Sequence, residues 1–456
     1  MLFRRYLSDL EEWMERPDRK PLIVWGARQC GKTYLIREVF ADKHFRNRTV
    51  YIDCRTEHDV CAYCETHPRA TDVLNYISLR FDMEIDSGTL LIFDEVQECP
   101  AVITLMKYMC QDYREIPVIV TGSMVRIVLK RKKRGQNNGG FLFPVGKINE
   151  LYMSPMSFDE YLFNRNRRMY DAVVESYNRK KPMDSETHAL AMDILYEYLL
   201  IGGMPEAVDT FLTTKSYNST LRVLRELYNN YLNDMELYQA SPESILRSKS
   251  IFTNVFRLLD RESSNFSPSM IEAGTRNRDM IQPLDWLKAA QVIRVSERLP
   301  EHVTLPLRSD GGVYRVYLGD MGMFSLQSGA NPASFLSDDG RNAMSGIFFE
   351  NYAAEELSAR GIPLFNWHGK NDSEFEFVLE KDGEIVPVDT KKGRGKMNSL
   401  TRFRDHNRCR IAIKVSRNNY GYDEATGVLT VPLYQLFLVA DEFSRTDVDG
   451  SIDKGL

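Results

Sequence analysis

The octamer Gly26-Ala27-Arg28-Gln29-Cys30-Gly31-Lys32-Thr33 constrains this chain more than any other stretch. It fits G-x-x-x-x-G-K-[ST] without a mismatch, and it joins the apolar run 21–26 to an amphipathic stripe of Leu35, Ile36, Val39 and Phe40. A turn that feeds a strand directly into a helix leaves unpaired backbone N–H groups at the helix's positive end. Gly26 and Gly31 let that backbone wrap closely enough for its amides to face phosphate oxygens. Lys32 adds a point charge for the β- and γ-phosphates, and the Thr33 hydroxyl is a ligand for Mg²⁺. The eight residues therefore read as the cradle for a nucleoside triphosphate, ATP in the first instance.

A second element supports that reading. Leu90-Leu91-Ile92-Phe93-Asp94-Glu95 is an apolar run ending in two carboxylates. Asp94 is placed to hold Mg²⁺, directly or through water, and Glu95 to polarise the attacking water. A third run, 116–123, ends in Thr121-Gly122-Ser123, and its hydroxyls read either as a γ-phosphate sensor or as an ordinary polar strand end. If it is a sensor, Ser123 is the first candidate and Thr121 the second. Arg28 and Arg126 are phosphate contacts or surface charge. Phosphoryl transfer commonly draws an arginine from a neighbouring subunit; no such arginine can be identified in this sequence, and a homo-oligomer stands as one hypothesis. Cys30, at a helix start, reads as packing.

The runs 21–26, 49–53, 89–95 and 116–123 alternate with helical patterns, which predicts a parallel α/β sheet. From about 156 to 298 the pattern is helical, including a long stripe (Ile245, Phe252, Val255, Phe256, Leu259) after Ser241-Pro242-Glu243. Strand-like patterns return at 311–322 and 374–392, around a helical run at 347–360, and the tail after Ala440 is polar and expected to fray. With 456 residues, more than one core is required. The expected division is 1–165, a P-loop domain; 166–310, a helical region; and 311–456, a C-terminal α/β domain. The amino end lacks an apolar signal core, and no run of apolar residues is long enough to span a bilayer, so a membrane role is not expected. Seven cysteines, an odd and sparse set, speak against a disulfide framework and for a reducing, cytoplasmic setting. Cys61-Ala62-Tyr63-Cys64 has no second pair at zinc spacing and reads as coincidence. Net charge is −5, so nothing global advertises nucleic-acid binding.

The blocks RRYLSDL (4–10), GARQCGKT, LLIFDEVQ (90–97), VIVTGS, LYMSPMSFDEYL (151–162), LLIGGMPEAV (199–208), RVYLGDMGMFS (315–325), GIFFENYAAEEL (346–357) and EFEFVLEKDGEIVPVDTKKG (374–393) occur in an order that resembles the prokaryotic AAA-type ATP-binding proteins. The resemblance implies an ATPase sheet with an additional strand between the two motif strands, and Glu95 as catalytic glutamate. It also implies a winged-helix-like middle region and a C-terminal PD-(D/E)XK, restriction-endonuclease-like domain. Two departures stand out. Gly146-Lys147 replaces the family's usual Gly-Arg, and Lys130-Arg131-Lys132-Lys133-Arg134 enlarges a loop. That cationic run is a phosphate grip or, more commonly, a solvated loop.

In the middle region, 267–299 reads as two short helices and a wing, with Arg276 and Arg278 near the start of the presenting segment. Pro283 argues against one long helix there. In the last domain, strand alternation places Glu374 and Glu376 on one face, and Asp389 and Lys391 on one face. Glu350, Glu376, Asp389 and Lys391 are the candidate set for a metal-dependent nuclease, which needs carboxylates around a hard cation and a nearby lysine. Here Glu376 and Asp389-Thr390-Lys391 stand where the family usually has Asp and Glu-x-Lys. The functional expectation is Mg²⁺-dependent ATP hydrolysis coupled to conformational change on a target, with DNA or RNA preferred. The alternatives are a nucleotide-gated protein-interaction module and an ATP-licensed nuclease.

Overall fold

The computed structural model describes residues 2–122, 144–239, 241–261, 265–309, 311–369, 374–391, 403–404, 407 and 409–444. The chain divides into two compact units, Arg4–Ser154 and a second comprising Met1–Phe3 with Pro155–Leu456.

The first unit is a five-stranded parallel sheet, built from β1 (Leu22–Gly26), β2 (Thr49–Asp53), β3 (Leu90–Asp94), β4 (Val118–Thr121) and β5 (Asn149–Met153) in the order β2-β3-β4-β1-β5. Position in the sheet explains the sequence patterns. β1, β3 and β4 are interior strands covered on both faces, and every residue in them is buried. β2 lies at an edge, and its residues alternate between buried and half-buried. The first motif strand, β1, and the second, β3, do not pair. β4 lies between them, matching Leu22 with Ile119 on one side and Leu91 with Val118 on the other. Helices α1 (Tyr6–Glu15), α2 (Tyr34–Ala41), α3 (His58–Thr66), α4 (Ala70–Phe81) and α5 (Ala101–Asp112) complete the unit. α2 is wound as a π-helix; the predicted stripe of Leu35, Ile36, Val39 and Phe40 is buried, and Arg37 and Glu38 are exposed. One face of the sheet, with Ile23, Val50, Ile52, Phe93 and Val120, packs against Val60, Val73, Ile77, Ile103 and Met106 of α3–α5.

The second unit begins with helices α6 (Phe158–Arg165), α7 (Arg167–Asn178), α8 (Ser185–Ile201), α9 (Pro205–Thr214) and α10 (Tyr217–Tyr238). The glycine pair between α8 and α9 is a close-approach device. A Cβ on Gly203 would lie 1.9 Å from the Met156 carbonyl oxygen, whose own N–H donates to the Gly203 carbonyl at 2.7 Å. The long stripe from Ile245 is two helices, α11 (Pro242–Thr253) and α12 (Val255–Leu259), because Asn254 leaves helical geometry. A 3-10 turn at Pro268–Met270 precedes α13 (Asn277–Ala289), which runs unbroken through Pro283. The lost backbone bond is offset by burial of Pro283 with Met280, Leu284 and Leu287.

Two sheets follow. β7 (Tyr314–Leu318), β6 (Ile293–Leu299), β8 (Phe365–His368) and β9 (Glu374–Phe375) form one, in that order. β10 (Phe377–Lys381), β11 (Glu384–Lys391), β12 (Ala412–Ser416), β14 (Val428–Pro432) and β13 (Gly421–Asp423) form the other. The predicted strand 374–392 is therefore interrupted: Glu376 is a bend that passes the chain between sheets, and Asp382-Gly383 turns β10 back onto β11. Helices α14 (Met321–Ser328), α15 (Pro332–Phe335), α16 (Asp338–Ala359) and α17 (Leu436–Ser444) complete the unit. α17 continues past Ala440 because Leu436, Phe437, Val439 and Ala440 anchor its apolar face. No described helix is long and apolar enough to cross a membrane.

Candidate nucleotide site

The site sits where β1, β3 and β4 end side by side. β1 delivers Gly26 beside β5, and a Cβ there would lie 2.5 Å from the Met153 carbonyl oxygen, which only glycine avoids. Gln29 and Gly31 then take positive φ values of 60° and 91°, closing the loop onto α2. Lys32 is 7% exposed, and its Nζ donates to the Gly26 and Ala27 carbonyls at 3.0 and 2.8 Å. Phosphate oxygens would offer this ammonium stronger, charge-assisted partners. Cys30 is buried, with Sγ 3.5 Å from the Met153 carbonyl oxygen, which accords with a packing role.

The two proposed metal ligands meet directly. Thr33 Oγ1 donates to Asp94 Oδ2 at 2.7 Å. The Tyr51 hydroxyl donates to the same oxygen at 2.9 Å, and the Glu95 N–H donates to Oδ1 at 2.8 Å. Burial, then the Asp94 charge, raises the Tyr51 phenol, so it remains a protonated donor. Glu95 occupies left-handed backbone at φ 51°, and its Oε2 accepts from Gln97 Nε2 at 2.5 Å. Its Oε1 lies 3.6 Å from Arg55 Nη1. Arg55 itself grips Asp53, donating from Nε to Oδ1 at 3.1 Å and from Nη2 to Oδ2 at 2.8 Å, which holds the Asp53 carboxyl below its ordinary range.

The sheet thus brings together Gly26–Thr33, Asp94 and Glu95. β4 ends with Thr121 buried, and its Oγ1 has no hydrogen-bond partner among the described residues. Ser123, Arg126 and the run Lys130–Arg134 lie outside the described residues. Sequence reasoning missed Tyr51, Arg55 and Gln97. Gln97 stood within LLIFDEVQ, while Tyr51 and Arg55 show their role only once β2 pairs with β3 and Asp53 lies opposite Asp94.

The C-terminal candidates have a different environment. Glu350 on α16 and Glu374 on β9 are bridged by Arg315 of β7, at 2.9 and 2.8 Å. The Tyr317 hydroxyl also donates to Glu350 Oε1, at 2.8 Å. Burial, with Glu376 as a nearby like charge, raises the Glu350 carboxyl against the lowering effect of Arg315. Glu376 Oε2 accepts from the Thr390 N–H at 3.0 Å. Asp389 is buried on β11, opposite Lys414 of β12. Lys391 closes β11, and its side chain lies outside the described residues. Among the described residues no group of three metal-ligating side chains converges. The carboxylates of Glu350 and Glu374 instead share an internal cation that the sequence reading had not included.

Residues 18–162 match the family model described as an AAA domain, and 192–334 match a domain of unknown function. No curated protein matches the chain. Among solved structures, a Walker-type ATPase of Pyrococcus abyssi is 17% identical, with 72% of this chain and 96% of that one covered and a TM-score of 0.44. A signal transduction ATPase with numerous domains from Pyrococcus horikoshii, bearing a tetratricopeptide-repeat sensor, is 15% identical, with 78% and 48% covered and a TM-score of 0.26. PCH-2 of C. elegans is 11% identical, with 41% and 51% covered and a TM-score of 0.22. The strand order, the paired motifs at the strand ends and the family match agree: this chain carries an AAA-type P-loop ATPase domain over residues 18–162.

Proposed function

We propose that the chain hydrolyses ATP with Mg²⁺ and uses the cycle to change the conformation of its second unit on a nucleic-acid target. The observation that carries the chemistry is the 2.7 Å contact between Thr33 and Asp94, with Glu95 next in the chain. A hydroxyl and a carboxylate are hard oxygen donors, the set that suits Mg²⁺. When bound, Mg²⁺ supplies charge neutralisation for the phosphates. The protein's own groups do the rest. Loop amides and Lys32 hold the phosphate chain, and Tyr51 keeps Asp94 oriented. Glu95 accepts a hydrogen bond from the attacking water, with Gln97 fixing its carboxylate. Ser123 is assigned to sensing the γ-phosphate.

The target reading draws on Arg276 and Arg278, exposed at the start of α13, where a groove-reading element needs donors. The functional division at 165 and 310, the winged-helix and PD-(D/E)XK descriptions, a cytoplasmic location and a homo-oligomer that shares an arginine belong to the same proposal. Among the described residues the carboxylates of Glu350 and Glu374 pair with Arg315, and no cleavage step is assigned to them.

The test is steady-state ATP hydrolysis with Mg²⁺, with and without double-stranded DNA, for wild type and Glu95→Gln. Turnover stimulated by DNA and abolished in Glu95→Gln supports the proposal. Turnover that needs Glu95 but ignores DNA transfers the target to proteins.

A further inference from the structure

Arg4 precedes α1 and is a buried cation, 6% exposed, that the nucleotide chemistry described above does not use. Its guanidinium fork reaches two backbone carbonyls of the same unit. Nη1 donates to the Cys30 carbonyl at 2.7 Å, and Nη2 donates to the Ser154 carbonyl at 2.7 Å. The Ser154 N–H donates to the Tyr6 hydroxyl at 3.0 Å, so the residue after β5 is held at both of its backbone groups. One end of the fork therefore rests on a fixed point, and the other on the phosphate-binding loop.

Peptide geometry gives this contact a consequence for the loop. The Cys30–Gly31 bond is trans, since the cis bond recorded in the structure is Leu305–Pro306. In a planar trans peptide the carbonyl and the following N–H point in opposite directions. A Cys30 carbonyl drawn toward Arg4 thus turns the Gly31 N–H away from Arg4. Gly31 sits at φ 91°, where glycine alone moves freely, so its own backbone does little to hold that orientation. A neutral donor would give the carbonyl a weaker hold, because a charged donor makes the stronger hydrogen bond.

We infer that Arg4 is a positioning residue for nucleotide binding: through the Cys30 carbonyl it presets the Gly31 N–H for a phosphate oxygen before nucleotide arrives. This rests on the reading of Gly26–Thr33 as the phosphate cradle. The experiment uses the full chain and compares wild type, Lys32→Ala, Arg4→Met and Tyr6→Phe, measuring the ADP Kd and the kcat and KM for ATP hydrolysis. Arg4→Met is expected to raise the ADP Kd and the ATP KM together by ~10-fold or more while kcat stays within ~3-fold, the pattern of lost uniform binding. Tyr6→Phe loosens Ser154 but leaves the Cys30 contact, and is expected to bind ADP like wild type.

Arg4→Met with wild-type Kd and KM overturns the inference. So does a fall in kcat at unchanged KM, because loss of folded protein lowers the active fraction without altering the affinity of what remains. Equal weakening in Tyr6→Phe also overturns it. If Arg4→Met does not fold, Arg4→Gln keeps one short donor, and the same Kd, KM and kcat pattern decides. Wild type that fails to bind ADP, with Lys32→Ala no different, overturns the cradle reading itself.

Discussion

Replacing Gln97 with Met removes the one amide that the structure shows on the Glu95 carboxylate, at nearly constant volume. That bond is 2.5 Å long and charge-assisted, with Gln97 buried and the Glu95 side chain half-buried. Hydrogen bonds to charged groups contribute about 1.5–3 kcal/mol. If all of that serves to aim Glu95 in the transition state, its loss corresponds to a kcat roughly 10- to 100-fold lower at ~1.4 kcal/mol per decade. Arg55, 3.6 Å from the other carboxylate oxygen, would then be the remaining partner seen here and would draw Glu95 toward β2. Stability should respond differently. Gln97 Oε1 is buried without a hydrogen-bond partner among the described residues, so the substitution removes an unsatisfied acceptor along with the bond. The two changes oppose each other. The assay is single-turnover ATP hydrolysis alongside ATP affinity and thermal melting. The expected result is a kcat down by ~10-fold or more, an ATP Kd within ~2-fold and a Tm within a few degrees. A kcat within ~3-fold of wild type would refute the reasoning, because Glu95 would then hold its aim without Gln97.

Four further outcomes follow from the same structure. Glu95→Gln is expected to lower kcat by ~10²–10⁴-fold with ATP binding retained, whereas Lys32→Ala removes binding itself; equilibrium binding of a fluorescent ATP analogue separates the two. Arg360 is 1% exposed at its side chain and pairs with Asp159, Glu356 and Asp441 at 2.9, 2.8 and 2.7 Å. Arg360→Met removes the cation those three carboxylates share and should destabilise the second unit by ~3–5 kcal/mol, read as a lower urea midpoint. Burial pushes the Asp320 carboxyl up to about 6, against opposing backbone N–H bonds from Gly203 and Met323. A carboxyl that binds its proton more tightly when folded contributes stability that is fully present below the unfolded value and lost as pH rises toward the folded one. Stability should therefore carry a falling component between about pH 4 and 6, smaller in Asp320→Asn, measured as urea midpoints across that range. Arg315→Met should likewise lower the urea midpoint by a buried-pair amount, and Mn²⁺ titration of the wild type should detect no ion that Glu350→Gln displaces.

The nucleotide site was legible in the chain because its parts are local. A phosphate loop is built from neighbouring residues, and the runs 21–26, 89–95 and 116–123 became β1, β3 and β4 because near-continuous apolar segments are satisfied inside a covered sheet, while the alternating run 49–53 became the edge strand β2. Asp94 and Glu95 could be named from one strand end. Gln97 could have been: it lies within hydrogen-bond reach of Glu95 simply by following it in the loop.

What stayed hidden depends on pairing between distant segments. Nothing near Tyr51 announces that β2 lies beside β3, and only that register brings its hydroxyl to Asp94. Arg315 is one more basic residue in a strand until α16 and β9 bring Glu350 and Glu374 against it. The bend at Glu376, the passage of α13 through Pro283 and the hold of Arg4 on Cys30 have the same origin. Local sequence sets strand, helix and loop through steric and periodic rules that act over a few residues. Which buried charges meet is decided by the sheet order and by the need of every desolvated charge for a partner, and those conditions exist only once the chain has folded.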